Sequence, residues 1–213
     1  MSKPAVKNIQ QINPVKEKLV YTIGDKLYIN LTDRCTLACE FCPKIQGSMQ
    51  VHEYDLLLTQ RHSAEEYIEQ IKDPAQYKEI VFCGFGEPTL RIKDLLTIAH
   101  YCKKSGVPVR VNTDGLGNLV NKRNILPELA ECVDALSVSM NAQNEEVYDR
   151  HCVPALKGSY DSMLKFLALA HDYIPDTTAT AIEGLEGVDI EACEAQAKQL
   201  KVKFRKRVLD IVG

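Results

Sequence analysis

The chain has 213 residues, 45% of them hydrophobic, and a formal net charge of −3. That suits one domain with a full core, short of the ~250 residues usual for a closed eight-stranded α/β barrel. No apolar run approaches the ~20 residues that span a bilayer, and mild acidity gives no electrostatic case for polyanions, so neither membrane nor nucleic acid is indicated as a partner.

Residues 1–18 read as a polar leader without the apolar stretch of a signal peptide, and 19–213 as a single domain. Eight cysteines in such a chain read as reduced thiols, which implies a cytoplasmic location. Segments 19–23 and 26–31 are rich in β-branched and aromatic residues and flank Gly24-Asp25, a two-residue hairpin turn. The first strand is expected to cap a sheet edge. The second runs into Cys35-Thr36-Leu37-Ala38-Cys39-Glu40-Phe41-Cys42. Three thiolates at this spacing can hold one face of a 4Fe–4S cubane and leave the fourth iron open. Structural zinc is the other reading of the triplet, but zinc asks for four ligands, usually in Cys-x-x-Cys pairs. The remaining cysteines, at 83, 102, 132, 152 and 193, are isolated. Residues 43–61 form a long polar-aromatic connection, a lid or binding-loop candidate. Ser63-Ala64-Glu65-Glu66 then opens a helix with a capping box.

Strand 79–83 delivers a second motif, Gly84-Phe85-Gly86-Glu87-Pro88. Together with the cysteine triplet it resembles the radical SAM superfamily, whose Cys-x3-Cys-x2-Cys loop follows the first barrel strand and whose Gly-Gly-Glu-Pro-like motif ends the second. Phe41 stands at the aromatic position before the third cysteine, and Phe85 replaces the second glycine. The phrases Tyr21-Thr22-Ile23-Gly24-Asp25-Lys26-Leu27-Tyr28 and Val81-Phe82-Cys83-Gly84-Phe85-Gly86-Glu87-Pro88-Thr89-Leu90 resemble the small TatD-associated members most. The resemblance runs from about residue 20 to the end. It implies a 4Fe–4S cluster on Cys35, Cys39 and Cys42, and S-adenosylmethionine held by Phe41, Gly84, Gly86, Glu87, Asn112, Ser139 and Asn141. Glu87 would accept from the ammonium of the methionine part. The implied reaction is reductive cleavage of S-adenosylmethionine to a 5′-deoxyadenosyl radical that acts on a substrate. An electron donor such as flavodoxin or ferredoxin is implied with it.

Downstream, helices and strands alternate: helix 92–105, strand 109–112, helix 124–131, strand 134–141, helix 159–172, strand 177–182, helix 190–201 and strand 203–208. Six strands counted from residue 26 give an α/β fold, a partial, open parallel barrel preceded by a short hairpin strand. In strand 134–141, Ser137, Ser139 and Asn141 alternate with Leu136, Val138 and Met140, so one face is polar and is expected to line a cavity. Asn112-Thr113-Asp114-Gly115 resembles the superfamily's Thr-Asn-Gly phrase. On the last strand Lys203, Arg205 and Arg207 share a face. If it looks inward, Arg205 and Arg207 would grip an anionic group.

His151-Cys152-Val153-Pro154 reads as a loop on the active face, with Cys152 a candidate catalytic thiol. Asp114, His151, Arg205 and Arg207 are the substrate candidates, and a small anion is the expected substrate in preference to a protein. Cys102 and Cys193 fall on apolar helix stripes and belong to the core, and Cys83 is expected near the cluster loop without ligating. A 7-carboxy-7-deazaguanine-synthase-like or glycyl-radical-activase-like member is the alternative among enzymes. A non-catalytic iron–sulfur or zinc module is the alternative of another class.

Overall fold

Alternation along the strands Lys26–Ile29, Val109–Thr113 and Ala135–Ser139 gives the sheet an apolar outer face and a polar inner one. The computed structural model describes residues 17–209, so most of the expected leader and the last residues lie outside the described part. β1 (Val20–Ile23) and β2 (Lys26–Ile29) form the expected hairpin across Gly24, whose φ of +60° a glycine adopts without strain. A small second hairpin, β3 (Gln50–Val51) with β4 (Tyr54–Asp55), lies inside the long connection. Then come α1 (Ala64–Ile71), β5 (Glu79–Phe82), α2 (Ile92–Lys103) and β6 (Val109–Thr113). They are followed by α3 (Gly117–Asn121), α4 (Leu126–Ala130), β7 (Ala135–Ser139) and α5 (Glu145–Cys152). The chain ends in α6 (Ser159–Tyr173), β8 (Asp176–Glu183), α7 (Ile190–Gln199) and β9 (Lys203–Val208).

The main sheet has the order β1-β2-β5-β6-β7-β8-β9, with only the β1–β2 pair antiparallel. Six parallel strands preceded by one hairpin strand at the edge is the architecture expected from the sequence. The outward residues Leu27, Ile29, Ile80, Phe82, Val109, Val111, Leu136 and Val138 pack with the helices into one core. Their inward neighbours include Tyr28, Arg110, Asn112, Ser137 and Ser139, which line a cavity. A closed α/β barrel fills its interior with branched apolar side chains; this one holds open space.

Two helices depart from expectation. α3 was not foreseen, and α5 replaces the loop expected around His151. The cues for α5 are in the sequence: Asn144 accepts from Val147 N as N-cap, Glu145 and Glu146 occupy the first turn, and Arg150 and His151 the last. The capping box at Ser63 forms as expected, with Glu66 reaching back to the cap. Cys102 and Cys193 are fully buried in the core.

Candidate active site

The cysteine loop leaves the end of β2 and is held from behind by residues 151–155. Ala38 N donates to Cys152 O at 3.0 Å, Glu40 N to His151 O at 3.0 Å, and Ala155 N to Thr36 O at 2.9 Å, with Leu37 bridged to Pro154. Val153 sits in this strap at φ +44°, a conformation that is costly for a β-branched residue and persists only where the surroundings impose it. The strap leaves Cys35 exposed and Cys39 and Cys42 half-buried, all three on the wall of one cavity of about 530 Å³. Contact with the Cys152 thiol, then burial, hold the Cys39 thiol well above the usual range. Among the described residues no three His, Cys, Asp or Glu side chains converge on a single metal ion. A cubane makes a different demand, one thiolate for each of three irons, and the loop supplies that set.

The structure corrects two substrate-side expectations. Cys152 is fully buried behind the loop, where its sulfur accepts from Asn141 Nδ2 at 3.4 Å, and it does not line the cavity. His151 is also buried; its Nδ1 meets the Glu40 carboxylate and its Nε2 lies 2.7 Å from Glu186 O, away from the cavity. Both residues are on α5, whose C-terminal end is turned into the strap.

The second motif packs directly on the cysteine loop. A Cβ on Gly86 would lie 2.3 Å from Thr32 O and 2.6 Å from Arg34 O, and one on Gly84 would lie 2.5 Å from Asn30 Oδ1. Both glycines are therefore required by close approach. Phe85 instead turns toward Tyr21, Val51 and Leu56, which explains why a large residue fits there. Glu87 N donates to Arg34 O at 2.7 Å, tying motif to loop.

The buried Glu87 carboxylate takes four donors. Thr89 N, Thr89 Oγ1 and Thr113 Oγ1 reach Oε1 at 2.9, 2.6 and 2.9 Å, and Asp114 N reaches Oε2 at 2.7 Å. A carboxylate has about four acceptor sites, so these four donors, three on Oε1 and one on Oε2, match its capacity. Burial, then the neighbouring Asp114 charge, push Glu87 well above the usual carboxylate range. Asp114 is raised too, by its own burial. No cationic side chain pairs with either acid among the described residues. Asp114 lines the cavity, but its oxygens accept from Thr36 Oγ1 and Leu116 N, both at 2.8 Å, so it positions the cysteine loop.

The cavity also gathers Phe41, Cys83, Asn112, Ser139, Asn141, Arg205 and Arg207. Asn141 has φ +62°, and its buried Oδ1 has no protein partner. Asn112 Oδ1 accepts from Arg110 Nη1 at 3.3 Å. Lys203 takes no part; it pairs with Asp176 at 2.9 Å. Tyr21, Ile23, Tyr28, Arg110 and Thr180 also line the cavity and were missed. The alternation that exposed Ser137 and Ser139 is equally present in Val109-Arg110-Val111-Asn112 and could have found Arg110. Nothing local signals Tyr21 and Ile23, which depend on the β1–β2 register.

The model of the radical SAM superfamily matches residues 29–200. This chain belongs to that superfamily. It is 35% identical over 121 residues to the tungsten-containing aldehyde ferredoxin oxidoreductase cofactor-modifying protein of Pyrococcus furiosus, covering 54% of this chain and 30% of that protein. It is 31% identical over 129 residues to the dual-specificity RNA methyltransferase RlmN of Geotalea uraniireducens, covering 54% of this chain and 32% of that one. Among solved structures, Streptococcus suis SuiB bound to its precursor peptide SuiA superposes with a TM-score of 0.65 at 16% identity, over 90% of this chain and 40% of SuiB. The chain thus spans about a third of the length of the curated relatives it matches, and the likeness to SuiB is one of fold.

Proposed function

We propose that this protein is an enzyme that binds a 4Fe–4S cluster on Cys35, Cys39 and Cys42 and cleaves S-adenosylmethionine reductively to act on a small anionic substrate. The observation that carries the reading is the meeting, around one cavity, of three thiols with a buried acid pair that has no cationic partner among the described residues. Cys35, Cys39 and Cys42 would hold the cluster, which would supply the single electron, drawn from a donor protein, for reductive cleavage of the sulfonium C5′–S bond and so for hydrogen-atom removal from a substrate. The chain's own residues bind, orient and shield. The buried Glu87 and Asp114 pair suits an ammonium, whose positive charge would relieve the raised acids. The orphaned Asn141 Oδ1 offers an acceptor for a hydroxyl donor, and Ser139 lies on the same wall. The strap at 151–155 keeps the cysteine loop in place from the side away from the cavity, so substrate access does not disturb it. The β3–β4 hairpin places Val51 at the cavity and helps exclude water there.

The test is anaerobic reconstitution with iron and sulfide, addition of dithionite and S-adenosylmethionine, and detection of 5′-deoxyadenosine and methionine. About four irons per chain and both products are expected. Iron retained with no cleavage under strong reductant would leave a binding module instead.

A further inference from the structure

The lower wall of the cavity carries a charge imbalance that the cofactor chemistry does not use. Four cationic side chains, Lys26, Arg110, Arg205 and Arg207, line it. They face one carboxylate. Glu79 takes Lys26 Nζ at 2.7 Å and Arg110 Nε and Nη2 at 3.1 and 3.0 Å, so its acceptor capacity is filled. Arg205 has only a hydroxyl, Ser137 Oγ at 3.2 Å. Neither Arg205 nor Arg207 has a carboxylate within ion-pair distance among the described residues. Partial burial, then the like charges of Arg110 and Arg207, hold Arg205 below the usual guanidinium range. Cations crowd here without a counter-charge.

S-adenosylmethionine does not supply one, since its sulfonium and ammonium outweigh its carboxylate. Beside these cations the cavity carries aromatic and apolar side chains. The Tyr21 and Tyr28 rings stack with centroids 5.3 Å apart, and Ile23 and Phe85 lie beside them on the cavity. The cationic and the aromatic side chains therefore ask for different parts of one molecule.

Resting on the function proposed above, we infer that the substrate is a small organic phosphate monoester, its doubly charged phosphate held by Arg205 and Arg207 and its planar or apolar body against Tyr28 and Phe85. A dianion answers the excess of positive charge where a single carboxylate leaves part of it unbalanced, and the guanidinium fork matches phosphate oxygens in pairs. A cavity of about 530 Å³ is on the scale of small-molecule sites.

The inference is tested by calorimetry on the reconstituted chain with S-adenosylmethionine and no reductant, using phenyl phosphate, benzoate and phenol as probes. Phenyl phosphate should bind at least about tenfold more tightly than benzoate, and phenol more weakly than both. Arg205→Gln and Arg207→Gln should each weaken phenyl phosphate by about ten- to hundredfold. Arg207→Lys, which keeps the charge and loses the fork, should fall between. Tyr28→Ala should weaken phenyl phosphate and leave inorganic phosphate unchanged, and Lys198→Gln on the exposed face of α7 should change nothing. Equal affinity for benzoate and phenyl phosphate, or arginine variants that bind as wild type, would overturn it. So would tighter binding of an acidic peptide or a 5′-phosphorylated oligonucleotide than of phenyl phosphate. The two proposals fail separately. Arginine-dependent phosphate binding without S-adenosylmethionine cleavage sinks only the radical reaction; cleavage without discrimination among the probes sinks only the phosphate site.

Discussion

The two ends of the cavity are built on opposite principles. At the cysteine end, residues far apart in sequence are tied together, by backbone bonds from the strap at 151–155 to the loop and from Glu87 to Arg34, and by a side-chain bond from Thr36 to Asp114. Its acids are buried, and their values are raised. At the arginine end, long side chains reach inward from an edge strand, and the one acid, Glu79, is lowered by Lys26 and Arg110 in spite of its own desolvation. The first arrangement fixes a chemistry that tolerates little displacement. The second leaves side chains that can be exchanged without disturbing the loop, which is what a specificity wall requires.

The difference is broken most directly at the cysteines. Cys39→Ala should abolish cluster binding and S-adenosylmethionine cleavage, because in the proposed ligand set each thiolate would serve its own iron and none would substitute for another. The fold should survive, since the strap bonds to the loop's backbone and Cys39 only packs against the margin of the core as a partly buried side chain. Iron content, 5′-deoxyadenosine formation and circular dichroism check this. A variant that keeps full cluster and activity would remove Cys39 from the ligand set.

Next in size comes Gly86→Ala. The added methyl meets two backbone oxygens, and relief would break the Glu87 N to Arg34 O bond. A cost of ~1–3 kcal/mol in stability is expected, with poorer cluster retention, read from thermal unfolding and iron content. Gly84→Ala meets one side-chain oxygen, Asn30 Oδ1, where Gly86→Ala meets two backbone oxygens, so it should cost less. Equal effects would mean that the motif and the loop are not rigidly joined.

These contacts also mark what the sequence could and could not say. The cysteine triplet and the 84–88 motif were legible because their chemistry fixes residue types at fixed spacing. The polar face of β7 was legible because period-2 alternation breaks the apolar run expected of a doubly buried strand. The strap was not legible, since Glu40 and His151 are 111 positions apart and nothing local states that pairing. The same long-range contact turns His151 and Cys152 away from the cavity, so a reading by strand order put them on the wrong side of the loop. Tyr21 reached the cavity through the register of an edge strand, which a short hairpin specifies only once folded.

Glu87→Gln probes the cysteine end more gently. It removes the charge that would meet an ammonium, so affinity for S-adenosylmethionine should fall about ten- to hundredfold while the cluster stays. The pH dependence of stability sharpens the contrast between the two ends. Glu87 and Asp114 are raised above their ordinary values of 4.5 and 3.8. Their contribution is fully present below those values and is lost as pH rises through the folded ones. The variant should therefore show a flatter decline in melting temperature from acidic to alkaline pH than wild type. A parallel decline in both would mean that the acid pair is not the titrating unit.

Glu79→Gln makes the corresponding test at the arginine end, with the opposite sign. Glu79 is held below its ordinary value of 4.5, so its contribution to stability is present above that value and is lost as pH falls through the folded one. Wild type should lose stability on acidification through this region, and Glu79→Gln should lose less, since the group that titrates is gone. At neutral pH the change should lower stability by about 1 kcal/mol or less, because Lys26 is partly solvent-exposed and water screens the pair. Its effect on ligands should run the other way. With Glu79 neutral, Lys26 and Arg110 lose their counter-charge and the wall becomes more cationic, so phenyl phosphate should bind more tightly than it does to wild type. S-adenosylmethionine affinity should not change, because Glu79 lies at the other end of the cavity from the acid pair. A loss of phosphate affinity in Glu79→Gln would show that the carboxylate orients the arginines and does not merely neutralise them.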